Sequence, residues 1–389
     1  MRRLVFAVLA ALLAVAQLPP PLALAADSSL PQAQRPPDVS LKLEVEHAID
    51  KALGWLQKRQ NPDGSWSQPE YPALTALALT AFMGEPSGRY RAAKPEAVQR
   101  GYLFLLKNVQ PNGGIYGAAG PMPLENYNTA VSLTALVVSR DKAYEQVIRR
   151  ARNYLVSLQN SGGIGYNKTG GTDLSNTVLG LEALYYSRYL ARDVDPKSFP
   201  EGVRDLDWKS AVEFIQSCQN LPEYNKQPWA SDDPVNRGGF VYSTNESKAG
   251  EMNLESGRTA LRSYGSISYA GLLSYVYADL TRDDPRVQAV LDWLQRNYTL
   301  EENPGMGQEG LYYYFHTMAK ALSAAGVDRF TLKDGRGVDW RRELALKLLS
   351  LQDGSEGFWV NTNGRWWEKD PVLTTAYSLI ALEIVHRGL

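Results

Sequence analysis

The residues of this chain best equipped for chemistry gather at the start of short runs rich in small residues. Of three histidines, only His316 falls inside such a run, "FHTMAKAL" from Phe315, and Asp173 stands just before another, "TVLGLEAL" from Thr177. Both suit proton transfer, the imidazole because its ordinary pKa lies close to neutrality. Arg262, Tyr264, Ser266 and Tyr269 lie in "RSYGSISYAG", and Tyr312 and Tyr313 lie in "NPGMGQEGLYYYFH". Asn128, Asn176, Trp367 and Asp370 hold matching places beside other runs. Phenol and indole faces with Arg, Asn and Ser donors suit an amphipathic or hydroxylated ligand, and the same faces stabilise positive charge. The glycines between residues 303 and 316 would let backbone approach a ligand closely.

Each residue also has a plainer role open to it. Asp173 and Asp370 are N-cap candidates, the second strengthened by Pro371. Residues 312–314 cover most of a helical turn, so at least one of the three tyrosines packs in the core. Trp366 and Trp367 fit a surface corner, and His316 a buried, hydrogen-bonded histidine.

The elements that position these residues come from a repeat. "QNPDGSW" at residues 60–66 returns in altered form within "FLLKNVQPNGGIY" from Phe104, "YLVSLQNSGGIGY" from Tyr154, "FIQSCQN" from Phe214 and "LLSLQDGSEGFW" from Leu348. A degraded copy, "WLQRNYT" from Trp293, has Tyr298 in the Gln place. A second helical run follows each copy: "TALALTAF" from Thr75, "TAVSLTAL" from Thr129, "TVLGLEAL", "SYAGLLSY" from Ser268, "FHTMAKAL" and "TAYSLIAL" from Thr375. The first member of each pair has bulky apolar residues at helical spacing, as in Ile49, Leu53 and Leu56. The second is dense in Ala, Gly, Ser and Thr, which lets helices approach closely, so it belongs in the more crowded inner layer. With no convincing strand alternation, the chain reads as all-α: six helix pairs in one domain over residues 41–389. In the turn, a Gln side chain can satisfy both the ending helix's carbonyls and the next helix's amides. Gly64 permits positive φ, and Trp66 packs over the corner. If the ring closes, Ala76, Ala130, Ala135, Ala183 and Ala381 should be buried between helices.

Composition narrows the function classes. A formal net charge of −1 and the absence of a basic stripe argue against nucleic acid as a partner. Cys218 is the only cysteine, so no internal disulfide can form. Met1, Arg2 and Arg3 precede an uncharged apolar stretch at residues 4–18 and a small-x-small site at Ala23-Leu24-Ala25. That pattern is expected of a secretory signal over residues 1–25, and it falls short of the ~20 residues a spanning helix needs. Residues 26–40, rich in Pro, Gln and Ala, read as a flexible leader. The mature protein is expected in the periplasm or outside the cell, with no transmembrane segment.

"KALGWLQKRQNPDGSW", residues 51–66, resembles the QW repeat of squalene and oxidosqualene cyclases, and "QNPDG" followed by an aromatic resembles the repeats of protein prenyltransferase β-subunits. The resemblance runs from Leu41 to the C-terminus and is nearest to exported bacterial proteins with prenyltransferase or squalene-oxidase-type repeats. It implies an α/α toroid of six helix hairpins, in which Gln60, Gln110, Gln159, Trp66 and Trp359 are structural ties. The chemistry of these families does not carry over intact. "DVDP" from Asp193 and "DLDW" from Asp205 both lack the last Asp of the cyclase DxDD acid. "DDPVN" from Asp232 and "DDPRV" from Asp283 fall short of a DDxxD cluster, and Cys218 lacks the Asp two residues before it that the prenyltransferase zinc site uses.

In a closed toroid the starts of the second helices converge on one mouth, where free N–H groups and partial positive charge attract carboxylates, phosphates or sugar hydroxyls. His316, Tyr264, Arg262 and Tyr313 are expected around one pocket there, with Asp173 and Asp370 on its rim. Two functions fit. The first is an exported protein binding a glycan, peptide or lipid at the mouth of its central cavity, without cofactor. The other is an enzyme on an isoprenoid-like substrate, with His316 or Asp173 moving a proton.

Overall fold

Small residues, Thr and Ser concentrate in six helices, and these are the helices that lie innermost. The computed structural model describes residues 38–117, 122, 124–191, 197, 199 and 201–389. The expected secretory signal, the leader up to residue 37 and the "DVDP" string lie outside them. Helix α1 spans Val39–Lys58, α2 Pro72–Gly84, the short α3 Arg89–Ala93, and α4 Glu96–Lys107. Helix α5 spans Glu125–Val138, α6 Glu145–Ser157, α7 Leu174–Tyr186, α8 Trp208–Ser217 and α9 Gly265–Tyr277. Helix α10 spans Pro285–Arg296, α11 Leu311–Ala324, α12 Trp340–Leu351 and α13 Pro371–His386. Strands are only two or three residues long. The antiparallel set β1 Gln159–Asn160, β2 Gly163–Gly165 and β3 Thr172–Asp173 places Asp173 opposite Ile164 at the head of α7. None of the described helices is long and apolar enough to cross a membrane.

Around the ring α2 packs on α5, α5 on α7, α7 on α9, α9 on α11 and α11 on α13, and α13 returns to α2. The ring closes, as an α/α toroid requires. Every residue of α9 is buried, whereas α1 buries one stripe of Leu41, Val45, Ile49, Leu53 and Leu56. Ala76, Ala130, Ala135, Ala183 and Ala381 are all buried, as expected of helices in close approach. The outer helices do not simply sit on their partners in sequence. Helix α4 packs mainly on α2, α6 on α5, α10 on α9 and α1 on α13, so these four lean on the inner helix preceding them around the ring, whereas α8 and α12 pack on α9 and α13, which follow them.

Two repeated hydrogen bonds explain the repeat strings. The first hydroxyl of the inner run accepts the backbone N–H that follows the turn: Thr75 from Trp66, Thr129 from Ile115, Thr177 from Ile164, Ser268 from Phe240 and Thr375 from Trp359, all at 2.9–3.0 Å. In the sixth run Phe315 takes that place and has no hydroxyl. The Gln of the turn ties its own corner to the next outer helix. Gln60 donates to Gly64 and Ala97 carbonyls, Gln159 to Gly162 and Asp207, Gln219 to Gly238 and Arg286, and Gln352 to Gly357 and Ala48. The last of these links α12's corner back to α1. Gln110 instead bonds only within its own turn, to Asn108 and Tyr116. The expected service to the inner helix's amides is therefore corrected: the Gln side chains bond carbonyls of the corner and of the next outer helix, and the inner hydroxyls tie the turn's own N–H groups. Tyr298, in the Gln place, reaches forward as well, its hydroxyl donating to Glu343 on α12.

Candidate functional site

The N-termini of the six inner helices meet at one end of the ring, and their amides are already occupied: at α2, α9 and α11 by side chains from a neighbouring repeat, at α7 and α13 by each helix's own Asp, and at α5 by a backbone carbonyl. Asn128 on α5 accepts the Ala73 N–H of α2, Asp173 caps α7 through Asn176 N–H, and Asn303 accepts the Ser266 N–H of α9. Glu368 accepts the Tyr312 and Tyr313 N–H groups of α11 at 3.2 and 2.8 Å, Asp370 caps α13 through Val372, and the Asn126 N–H meets the Tyr166 carbonyl. A buried helix end requires such partners. The expectation that free amides at the mouth draw in anions is thus corrected, because three carboxylates, two asparagines and a backbone carbonyl already hold them.

These caps account for several residues expected to bind ligand. Asn128, Asn176 and Ser266 are buried in ties between repeats, Asn176 taking bonds from Asn126 and giving one to Asp173. Asp370 also accepts from Ser67, across the seam between the last and first repeats. Tyr269 packs at a tilt against Tyr314 with ring centroids 5.6 Å apart and faces an external groove beside Asp283, Asp292 and Phe330. Tyr312 packs edge-on to Phe315 and sends its hydroxyl towards the Val360 carbonyl. Arg262 is exposed, tied only through its backbone to Gly250 and Ser247.

What the mouth does gather is phenol hydroxyls around Asp173. The Tyr242 hydroxyl lies beside Asp173 and Tyr166, while Tyr264 and Tyr313 lie within electrostatic reach of the same carboxylate and of each other. Burial pushes the Asp173 carboxyl above its usual value, against the pull of Asn176, Ser175 and Tyr242. Burial also raises the Tyr264 and Tyr313 phenols, so both stay protonated as donors. At the rim Trp367 packs on Tyr71 at 4.6 Å, and the Arg365 guanidinium lies 4.7 Å over Trp366.

Down the ring axis, polar residues recur at one register. Counted from the first residue of each inner run, the sixth is Thr80, Thr134, Glu182, Leu273, Lys320 or Ile380. Glu182 on α7 and Lys320 on α11 form an ion pair across the width of α9, with only 7% and 14% of their side chains exposed. Nearer the mouth, Tyr313 and Tyr377 pack at 6.0 Å, and Tyr377 hydrogen-bonds Tyr127 from the opposite side. His316 lies beside this axis, 4.8 Å from Tyr377 between ring centroids, with Nδ1 buried and unpartnered. Tyr377 and Lys320 are the groups packed or charged against it.

Burial, followed by the Lys320 ammonium four residues on, holds the His316 imidazole well below its usual pKa. The folded protein therefore keeps it neutral while the unfolded chain takes up a proton near pH 6.5. Stability from this group is full above that pH and is lost as pH falls. Between pH 7.5 and 5.5, urea unfolding should show wild type losing about 1.4 kcal/mol more than His316→Gln. Equal losses would place the imidazole in water.

Glu182, Lys320, Tyr377 and Tyr242 were not singled out from sequence. Glu182 and Lys320 had a signal, because they are the only acid and lysine within the six small-residue runs and share one register. Tyr377 holds an equivalent inward position, whereas Tyr242 sits in a loop without a repeat.

No family model matches the chain, and no curated protein matches it. Its structure is similar to that of type II terpene cyclase MstE from Scytonema in complex with merosterolic acid A, with a TM-score of 0.54 at 13% identity over 90% of this chain and 99% of that one. It is also similar to a GH76 α-mannanase from Bacteroides thetaiotaomicron, with a TM-score of 0.53 at 10% identity over 90% and 98% of the two chains. A third similarity is to an α-amylase from Clostridium perfringens, with a TM-score of 0.51 at 10% identity over 87% and 97%. At these identities the likeness is one of fold, and the fold is the α/α toroid.

Proposed function

We propose that the protein is exported and binds a hydroxylated, amphipathic ligand at the mouth of its inner ring. The observation that carries this reading is the cluster of Tyr166, Tyr242, Tyr264 and Tyr313 around Asp173. Phenols offer a ring face and a protonated donor together, and Tyr242 stands directly against the Asp173 carboxylate. Binding without turnover is favoured because Asp173, Glu368 and Asp370, three carboxylates at the inner helices' N-termini, are all committed as caps. The fold is compatible with small molecules, since MstE was solved with merosterolic acid A. Export rests on the N-terminal sequence.

The Glu182–Lys320 pair with neutral His316 favours a second reading, an enzyme moving protons on an isoprenoid-like substrate held along the tyrosine-lined axis. Native mass spectrometry of the purified protein should show a bound adduct. Replacing both hydroxyls, Tyr264→Phe with Tyr313→Phe, should weaken its retention about tenfold or more at unchanged melting temperature, each hydrogen bond contributing about 1 kcal/mol. An isoprenoid adduct chemically altered on incubation would favour the enzyme. Full retention by the double variant would remove the mouth from consideration.

A further inference from the structure

Trp366 and Trp367 are consecutive, exposed at 42% and 37%, and both left-handed, with φ of 53° and 64°. Two bulky residues in that conformation persist only where their surroundings over-determine it. Here they do. Glu368 directly after them is locked by Asn361 and the α11 amides, and Trp366 lies against Gly310, where a Cβ would come within 2.9 Å of the indole. The turn therefore holds two indoles partly open to water beside the mouth, Trp367 backed by Tyr71 at the head of α2 and Trp366 by Gly310 and the Arg365 guanidinium.

We propose that the ligand is an uncharged pyranose glycan and that Trp366 and Trp367 are the platform on which its sugar rings stack. The proposal rests on the mouth being the binding site. Pyranose rings present C–H faces edged by hydroxyls, which matches rigid indoles flanked by phenol donors. A phosphate or carboxylate would meet helix N-termini whose amides are already held by Asp173, Glu368 and Asp370, and Arg365 is paired with Glu309. A peptide strand would find those same amides occupied. A lipid chain would need a continuous apolar lining, which the ion-paired rim does not offer.

Native affinity electrophoresis of the full chain in gels containing soluble starch, α-mannan, mixed-linkage β-glucan or polygalacturonate tests this. Wild type should be retarded by at least one neutral polysaccharide and less by polygalacturonate. Trp366→Asn with Trp367→Asn, chosen because Asn tolerates the left-handed region, should reduce retardation at least tenfold at unchanged melting temperature. No retardation by any neutral polysaccharide, stronger retardation by polygalacturonate, or equal retardation of the double variant would each overturn the glycan platform. If that happens while the adduct is still lost in the Tyr264→Phe, Tyr313→Phe variant, the mouth stands and only the ligand class falls. An adduct that survives those tyrosine changes removes the mouth itself.

Discussion

Truncating Trp66 to alanine should lower folding stability by about 3–5 kcal/mol, the range for emptying a fully buried aromatic site. The indole is completely buried, packs on Phe82 at 5.7 Å and donates to the Leu56 carbonyl at 2.7 Å, so the variant gains a cavity and leaves the end of α1 short of a partner. Gly101 shows how tightly the ring is seated, since a Cβ there would come within 2.7 Å of it. The neighbouring backbone cannot collapse freely into the gap, because Gln60 and Thr75 pin both sides of the corner. Urea unfolding measures the loss, and binding per folded molecule should barely change. A Trp66→Ala protein as stable as wild type would mean that this corner is not a tie.

The second large effect is expected on the ring axis. Lys320→Met should cost about 3–5 kcal/mol because it strands the Glu182 carboxylate in a buried site. Adding Glu182→Gln should restore much of that, since the uncompensated charge is removed. The cycle separates a buried pair from a hydrated one. A single-variant loss below about 1 kcal/mol is what a solvent-exposed pair would give, and it would show that the axis is open to water at this depth.

How far the fold could be read depended on what repeats. Small residues at positions such as Ala76, Ala130 and Ala381 recur in every inner run, so the inner layer and its closure were legible. The leaning of α4 on α2 or α6 on α5 was not, because it depends on shape between repeats rather than on spacing within one. At the site, the capping roles open to Asp173 and Asp370 were legible from their places before helices. Helix faces were harder. Tyr269 and His316 hold the same register, the second residue of their runs, yet Tyr269 faces the external groove and His316 the α11–α13 seam, so position alone did not sort them. Tyr313 and Tyr377 came out inward because they lie seven and three residues before the Glu182–Lys320 register of their helices, on the same helix face. Tyr242 and Tyr166 reach Asp173 from loops, where neither period nor repeat marks a residue.

The anion-binding mouth failed for a general reason. Helix dipoles do favour negative charge, but a closed ring brings six N-termini together, and their amides must be satisfied in the folded protein before any ligand arrives. Asn128, Asn303 and Glu368 do this from the neighbouring repeat, which also locks the repeats in register. What is left facing outward is aromatic and hydroxylic.

A crystal structure of the protein as purified, with its adduct retained, tests the central claim most directly. Ligand density should lie at the mouth between Tyr264, Tyr313 and Trp367. Density confined to the axis at Glu182 and Lys320, or to the external groove beside Asp283 and Asp292, with the mouth empty, would contradict it.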